Sequence, residues 1–139
     1  MKVLFLDVDG VLNTYKTGGL LTVSKSKLRL LSHIVKSTRC EIVLSSTWRR
    51  NVMGELDVLK KKLRYRGLVI KDITPIFFSI RGEEIQHWLN LHPEVTHWCI
   101  LDDDSDMLPD QLLNFVKTDG MIGLTQRDAD KVIEILGKV

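Results

Sequence analysis

Asp7 and Asp9 stand two residues apart at the end of the apolar run Val3-Leu4-Phe5-Leu6, and Gly10 follows them. Carboxylates beside a core are costly unless something compensates them, and a divalent cation would do so. Three further polar clusters come later in the chain. Ser45-Ser46-Thr47-Trp48-Arg49 follows Ile42-Val43-Leu44, Arg81-Gly82 precedes Glu83-Glu84, and Asp102-Asp103-Asp104-Ser105-Asp106 follows Cys99-Ile100-Leu101. These are the groups that phosphoryl transfer needs. A hard cation such as Mg²⁺ takes oxygen ligands, usually one or two carboxylates with substrate oxygens and waters. One carboxylate can attack phosphorus and form an aspartyl-phosphate. A second can protonate the leaving oxygen and then activate water. A hydroxyl and a cationic side chain can bind the phosphoryl oxygens as charge shifts.

Four clusters far apart in the chain can meet only if the elements before them bring their ends together. Val3–Leu6, Glu41–Ser45, Leu68–Ile73 and His97–Leu101 read as strands, and a brief fifth strand fits Phe115-Val116. The first is apolar almost throughout, as in a parallel sheet covered on both faces. Helices fit between the strands. One runs from Ser24, a residue able to cap it, to about Lys36, with Leu28, Leu31 and Val35 on one stripe. A second spans about Met53 to Arg64, with Val52, Leu56, Leu59 and Leu63 on one face. A third follows Gly82, with Ile85, Trp88 and Leu89 inward, and Pro93 stops it. The last starts near Thr125 and presents Ala129, Val132, Ile133 and Leu136. A loop with Gly18-Gly19 links the first strand to the first helix. This alternation predicts an α/β fold, a three-layer α/β/α sandwich on a mostly parallel sheet. Ligands in such sheets bind just beyond the carboxyl ends of the strands, where the four clusters fall.

The 139 residues predict one domain, 1–139, large enough for a real core. A hydrophobic fraction of 44% and a charged fraction of 27% are those of a globular protein. No stretch approaches the roughly 20 apolar residues of a membrane span, and Lys2 followed closely by Asp7 does not make a secretory signal. Cys40 and Cys99 form no metal-ligand spacing and read as reduced, buried thiols of a cytoplasmic protein.

Taken in order, the four clusters resemble the motifs of the haloacid dehalogenase (HAD) superfamily of phosphohydrolases. Asp7-Val8-Asp9-Gly10-Val11-Leu12 is similar to its first motif, DxDG[TV]L. The resemblance implies that Asp7 is the nucleophile and a metal ligand. It implies that Asp9 is the general acid/base, with its backbone carbonyl on the metal. Ser45 resembles the phosphate-binding Ser/Thr of the second motif, and Ser46 could fill the same place. Arg81 stands where the third motif carries a basic residue, usually lysine; arginine brings charge and a two-pronged contact but is no equivalent of lysine. Asp102-Asp103 resembles the acidic fourth motif, with Asp103 the first choice for the metal and Asp102 or Asp106 in support. The implied fold is a Rossmann-like core of about five strands in the order 5-4-1-2-3. The gaps after the first and second motifs leave no room for a cap domain. The strings LSSTWR, RGEEIQ and ILDDDSDM give a narrower resemblance to a small subgroup related to HAD domains of RNA-repair proteins.

The expected activity is therefore that of a Mg²⁺-dependent phosphatase with an open site, which suits a macromolecular substrate such as a nucleic-acid end or a phosphoprotein. The rival is a catalytically idle binding module on the same fold; the full set of acids speaks against it. Arg49 could bind substrate, and Arg49, Lys71 or Arg127 could supply the phosphate-binding cation in place of Arg81. Trp48 is either core or a wall against substrate. In Lys60-Lys61-Lys62-Leu63-Arg64-Tyr65-Arg66, five of seven residues are cationic. Such a run can contact a phosphate backbone, but the end of a crossover helix points away from the strand ends, which favours a solvated face.

Overall fold

A computed structural model describes residues 1–16, 22–77 and 79–139, so the Gly18-Gly19 loop lies outside the described residues. The strands are β1 (Lys2–Leu6), β2 (Glu41–Leu44), β3 (Ile70–Ile73), β4 (His97–Asp102) and β5 (Phe115–Lys117). The helices are α1 (Lys25–Thr38), α2 (Glu55–Arg64), α3 (Arg81–Asn90) and α4 (Gln126–Leu136), with 3₁₀ turns at Thr47–Arg50 and Pro109–Asn114. All four strand pairings are parallel, in the order β3-β2-β1-β4-β5. This is the expected order read from the other edge. The crossovers hold only core elements among the described residues, and no cap is inserted.

β1 lies at the centre of the sheet, and its alternation builds both interfaces. Leu4 and Leu6 pack with Leu28, Leu31 and Ile34 of α1, Leu59 and Leu63 of α2, and Ala129, Val132 and Leu136 of α4. Val3 and Phe5 face the other way, onto Ile85 and Trp88 of α3. Both faces are covered, so the apolar run is continuous. The Phe5 and Trp88 rings meet edge to face with centroids 5.4 Å apart, a favourable aromatic geometry. Cys40 and Cys99 are buried free thiols that burial pushes up, so they stay protonated. Among the described residues no helix is long and apolar enough to cross a membrane.

Three local expectations differ. α2 begins at Glu55 rather than Met53, and Val52 is 76% exposed instead of facing the core. The cause is a turn: Asn51 and Gly54 both have positive φ, and the Asn51 side-chain oxygen accepts from the Leu56 N–H at 3.0 Å. β3 begins at Ile70, because Gly67 turns left-handed and the β2–β3 register shifts at Ile42/Val43. Ser24 does precede α1, but its hydroxyl bonds the Ser26 hydroxyl at 2.9 Å rather than a backbone N–H. Thr125 caps α4 as expected, in a reciprocal box with Asp128.

Candidate active site

The register of three neighbouring strands builds the floor of the site. Leu6 pairs with Leu44 on β2 and with Leu101 on β4. The next residue on each strand is Asp7, Ser45 and Asp102. Backbone bonds continue the ladder past the strand ends: Asp7 N–H donates to Leu101 O and Ser45 N–H to Leu6 O, both at 3.0 Å. Asp7 therefore sits between Ser45 and Asp102, at the roughly 4.8 Å spacing of adjacent strands.

Carboxylate oxygens of Asp7, Asp102 and Asp103 lie within 4.8 Å of one another. Asp7 and Asp102 are buried, and Asp103 is half-buried. Burial and the Asp102 charge push the Asp7 carboxyl well above its ordinary range, and Arg81 offsets only part of that. Burial raises Asp103 as well. Asp102 already accepts from Arg81 Nη1 at 2.5 Å and from the Asp104 N–H at 2.9 Å. The Asp103 carboxylate instead packs against Gly10. Three convergent oxygen donors with too much negative charge for a buried site are a donor set suited to Mg²⁺.

Arg81 enters this cluster from the first residue of α3. Its Nη1 is 3.3 Å from Asp7 Oδ1 and 2.5 Å from Asp102 Oδ2. Burial opposes its charge, but Asp102 and Asp7 outweigh that and hold the guanidinium above its ordinary value. Lys71 lies on the exposed edge strand β3 and Arg127 is exposed in the first turn of α4, so Arg81 is the cation beside Asp7. Asp106 does not join the carboxylates expected to hold metal. Its Oδ2 accepts from the Arg81 N–H at 3.0 Å and its carbonyl from the Gly82 N–H at 3.0 Å, so it ties down the start of α3. A helix start leaves such N–H groups without internal partners, and a carboxylate is a favoured acceptor there. Gly82 makes the approach possible: a Cβ there would fall 2.7 Å from the Leu108 nitrogen.

The two serines after β2 have different surroundings. Ser46 accepts from the Trp48 N–H at 3.1 Å and caps the 3₁₀ turn. The Ser45 hydroxyl is fully buried and has no hydrogen-bond partner among the described residues. Arg49 differs from the expectation of a substrate contact. The 3₁₀ turn folds it back, and Nη1 donates to the carbonyls of Ser45 and Ser46. Nη2 donates to Glu84 Oε1 at 2.7 Å and to the Pro75 carbonyl at 3.3 Å. Burial lowers its pKa, and Glu84 restores part of the loss. Glu84 also accepts from the Phe77 N–H at 2.6 Å. This buried pair fastens the end of β2 to α3.

Asp9 is exposed, and two side chains hold its carboxylate. Trp48 Nε1 donates to Oδ2 at 3.1 Å, and Asn13 Nδ2 donates to Oδ1 at 3.0 Å. Trp48 is thus a buried residue with its indole N–H on Asp9, not a wall. Asn13 also accepts from the Gly10 N–H at 2.9 Å, and Thr118 Oγ1 donates to the Gly10 carbonyl at 2.8 Å. Sequence reasoning missed Asn13 and Thr118. Asn13 had a faint signal, an amide three residues past a Gly in a turn; Thr118 had none.

Gly10 has φ +78°, and a Cβ there would come within 2.5 Å of Asp103 Oδ2. Alanine costs roughly 1–2 kcal/mol for the left-handed backbone and displaces the Asp103 carboxylate. If the three carboxylates hold Mg²⁺, Gly10→Ala should weaken its binding at least tenfold while lowering the melting temperature only modestly. Calorimetric Mg²⁺ titration and thermal melting check both; unchanged Mg²⁺ affinity would remove Asp103 from the site.

The comparisons agree with this geometry. A search of curated proteins and a search of solved structures each returned no match. A family model described as the HAD domain in Swiss Army Knife RNA repair proteins matches residues 3–129, from the first residues of β1 into α4. The parallel core, the three-carboxylate floor and that match converge, and the chain belongs to the family of HAD domains found in Swiss Army Knife RNA repair proteins.

Proposed function

We propose that this domain is a Mg²⁺-dependent phosphatase that works through a phosphoryl group on Asp7. The observation that carries the reading is the pairing of a three-carboxylate cluster with the unpartnered buried hydroxyl of Ser45 on the adjoining strand end. A buried hydroxyl without a partner costs about 1–3 kcal/mol, and a phosphoryl oxygen would satisfy it. The same observation favours Ser45 over Ser46 as the phosphate ligand.

Asp7, Asp103 and Asp102 would hold Mg²⁺, which when bound supplies the charge that lets a phosphate dianion approach carboxylates. Arg81 binds phosphoryl oxygens from the other side, releasing part of its hold on Asp7 as it does so. An Asp7 oxygen attacks phosphorus, and the bond to the leaving oxygen breaks. Asp9, steadied by Trp48 and Asn13, gives its proton to that oxygen. It then takes a proton from water; the water oxygen attacks phosphorus, and the bond to Asp7 breaks. Phosphate leaves and Asp7 is restored. The family's setting in RNA repair supports a phosphorylated nucleic-acid end as the substrate, and a site without a cap leaves room for one.

Phosphate release from an aryl phosphate tests the reading. It should appear with Mg²⁺, vanish with EDTA and return when Mg²⁺ is restored. Ser45→Ala should lower kcat about 10²-fold, the usual loss for one transition-state donor, and Ser46→Ala by far less. Release indifferent to EDTA would overturn the metal role. No release from any aryl or oligonucleotide phosphate would favour an idle binding module.

A further inference from the structure

The basic run at the end of α2 is not simply a solvated face, because the fold adds a second row of cations to it. An open groove of about 610 Å³ lies between α1 and the chain just after α2, lined by Arg29, Ser32, His33, Lys36, Tyr65 and Arg66. Arg29, His33 and Lys36 follow one another at i+4 and i+3 and so form a stripe on α1, away from the buried Leu28, Leu31 and Ile34. Arg66 crosses to α1 and donates to the Lys25 carbonyl at 3.4 Å. Among the described residues no carboxylate lines the groove, while Asp130 and Glu134 line the neighbouring cleft that shares His33. A smaller cleft of about 280 Å³, formed by Lys61, Arg64 and Tyr65, shares that tyrosine with the groove. A chain whose net charge is only +2 thus gathers five Lys and Arg side chains around one exposed tyrosine.

We infer that this groove docks single-stranded nucleic acid, with backbone phosphates along Arg29, Lys36 and Arg66 and one base stacked on Tyr65. Arg29 and Lys36 are about 10 Å apart along the helix. That makes a row, which suits phosphates at intervals along a strand, and not a cage around one small anion. Tyr65 is 83% exposed between the two basic clefts. An aromatic face flanked by cations is how proteins hold unpaired bases, which stack on it without regard to sequence. A duplex offers no free base to that ring. The lining also holds no large aliphatic side chain, as insertion into a lipid surface would require.

The turn of α1 that precedes the groove, rather than the groove itself, lies beside the edge of the sheet that carries the acids. The Ser24 N–H donates to the Leu12 carbonyl at 2.8 Å and Lys27 Nζ to the Leu124 carbonyl at 2.7 Å, so the first turn of α1 is held beside the loop that follows Asp7 and Asp9. Arg66 is pinned to that same turn through Lys25. A strand in the groove would direct one end toward the catalytic edge. This last step rests on the phosphatase reading; the docking itself does not.

Fluorescence anisotropy of a labelled oligouridine with the whole chain tests the docking, using Asp7→Asn as the background so that nothing is hydrolysed. Arg29→Ala with Arg66→Ala should weaken binding at least tenfold. It should also flatten the slope of log affinity against log salt by about 1.4, since each lost phosphate contact on a single strand removes about 0.7. Tyr65→Ala should cost roughly tenfold, and Lys71→Ala, on the exposed strand β3, should change nothing. Arg29→Glu alone, at an exposed position, repeats the test should the double variant fold poorly. In the Asp7→Asn background these variants keep the melting temperature, and in the otherwise unaltered chain they keep aryl phosphate turnover. Oligouridine affinity unmoved by Arg29→Glu would overturn the inference. So would duplex, an acidic phosphopeptide or a phosphatidylserine vesicle binding as tightly as the single strand. Salt-sensitive binding with no turnover in the Asp7 protein would leave the groove standing and remove the phosphatase; turnover without groove-dependent binding would do the reverse.

Discussion

Asp7→Asn is expected to abolish phosphate release, by about 10⁴-fold or more, since no other group replaces a lost nucleophile. The same change should leave the fold at least as stable. Asp7 is 4% exposed and sits beside Asp102, so burial and like charge both work against its ionised form. An amide of the same shape removes one of three crowded carboxylates, so the metal-free protein should melt at the same temperature or higher. Mg²⁺ should then stabilise the variant less than the unaltered chain. For the latter, saturation at a hundred times Kd contributes about 2.7 kcal/mol. Acid-quenched mass spectrometry makes a third arm: a phosphorylated chain should be trapped when Asp7 is present and absent in the variant. Full turnover by Asp7→Asn would overturn the covalent mechanism.

Arg49→Met should produce the largest loss of stability. Arg49 and Glu84 side chains are 4% and 5% exposed and meet at 2.7 Å. Removing one partner of such a pair leaves the other charge buried and uncompensated, at a cost of about 3–5 kcal/mol. For a chain of this size that lowers the melting temperature by roughly 10–17 °C. Arg49→Met with Glu84→Leu should recover much of it, because paired apolar replacements avoid the stranded charge. A double-mutant cycle by thermal or urea unfolding measures the coupling. Activity gives a second readout, because Arg49 also holds the carbonyls of Ser45 and Ser46. A single variant with unchanged melting temperature would show that the pair does not fasten β2 to α3.

The elements that position the site were legible because they follow from local patterns. Apolar runs marked the strands, and the acids marked where β1 and β4 end. Boundaries failed where a single turn decided them. Val52 fits the helical stripe of α2, but the left-handed residues Asn51 and Gly54 place it before the helix, exposed. The basic run after Leu59 reads in the sequence as one helix end, and only packing brings Arg29, His33 and Lys36 of α1 beside it.

The sequence alone determined which chemistry is possible here. Asp7, Asp9, Ser45, Arg81 and Asp102-Asp103 follow short apolar strands or open a helix, and parallel crossovers bring strand ends to one edge. Only the tertiary structure decided which partners those groups have. It gave Ser46 to a turn and left the buried Ser45 hydroxyl without a partner among the described residues, gave Arg49 to Glu84, and gave Asp106 to the start of α3. Thr118 reaches Gly10 across 108 positions of chain, and Arg66 reaches Lys25 across 41. A residue's type sets what it can bond; which partner it bonds depends on packing between segments whose distance in the chain carries no record of their distance in space.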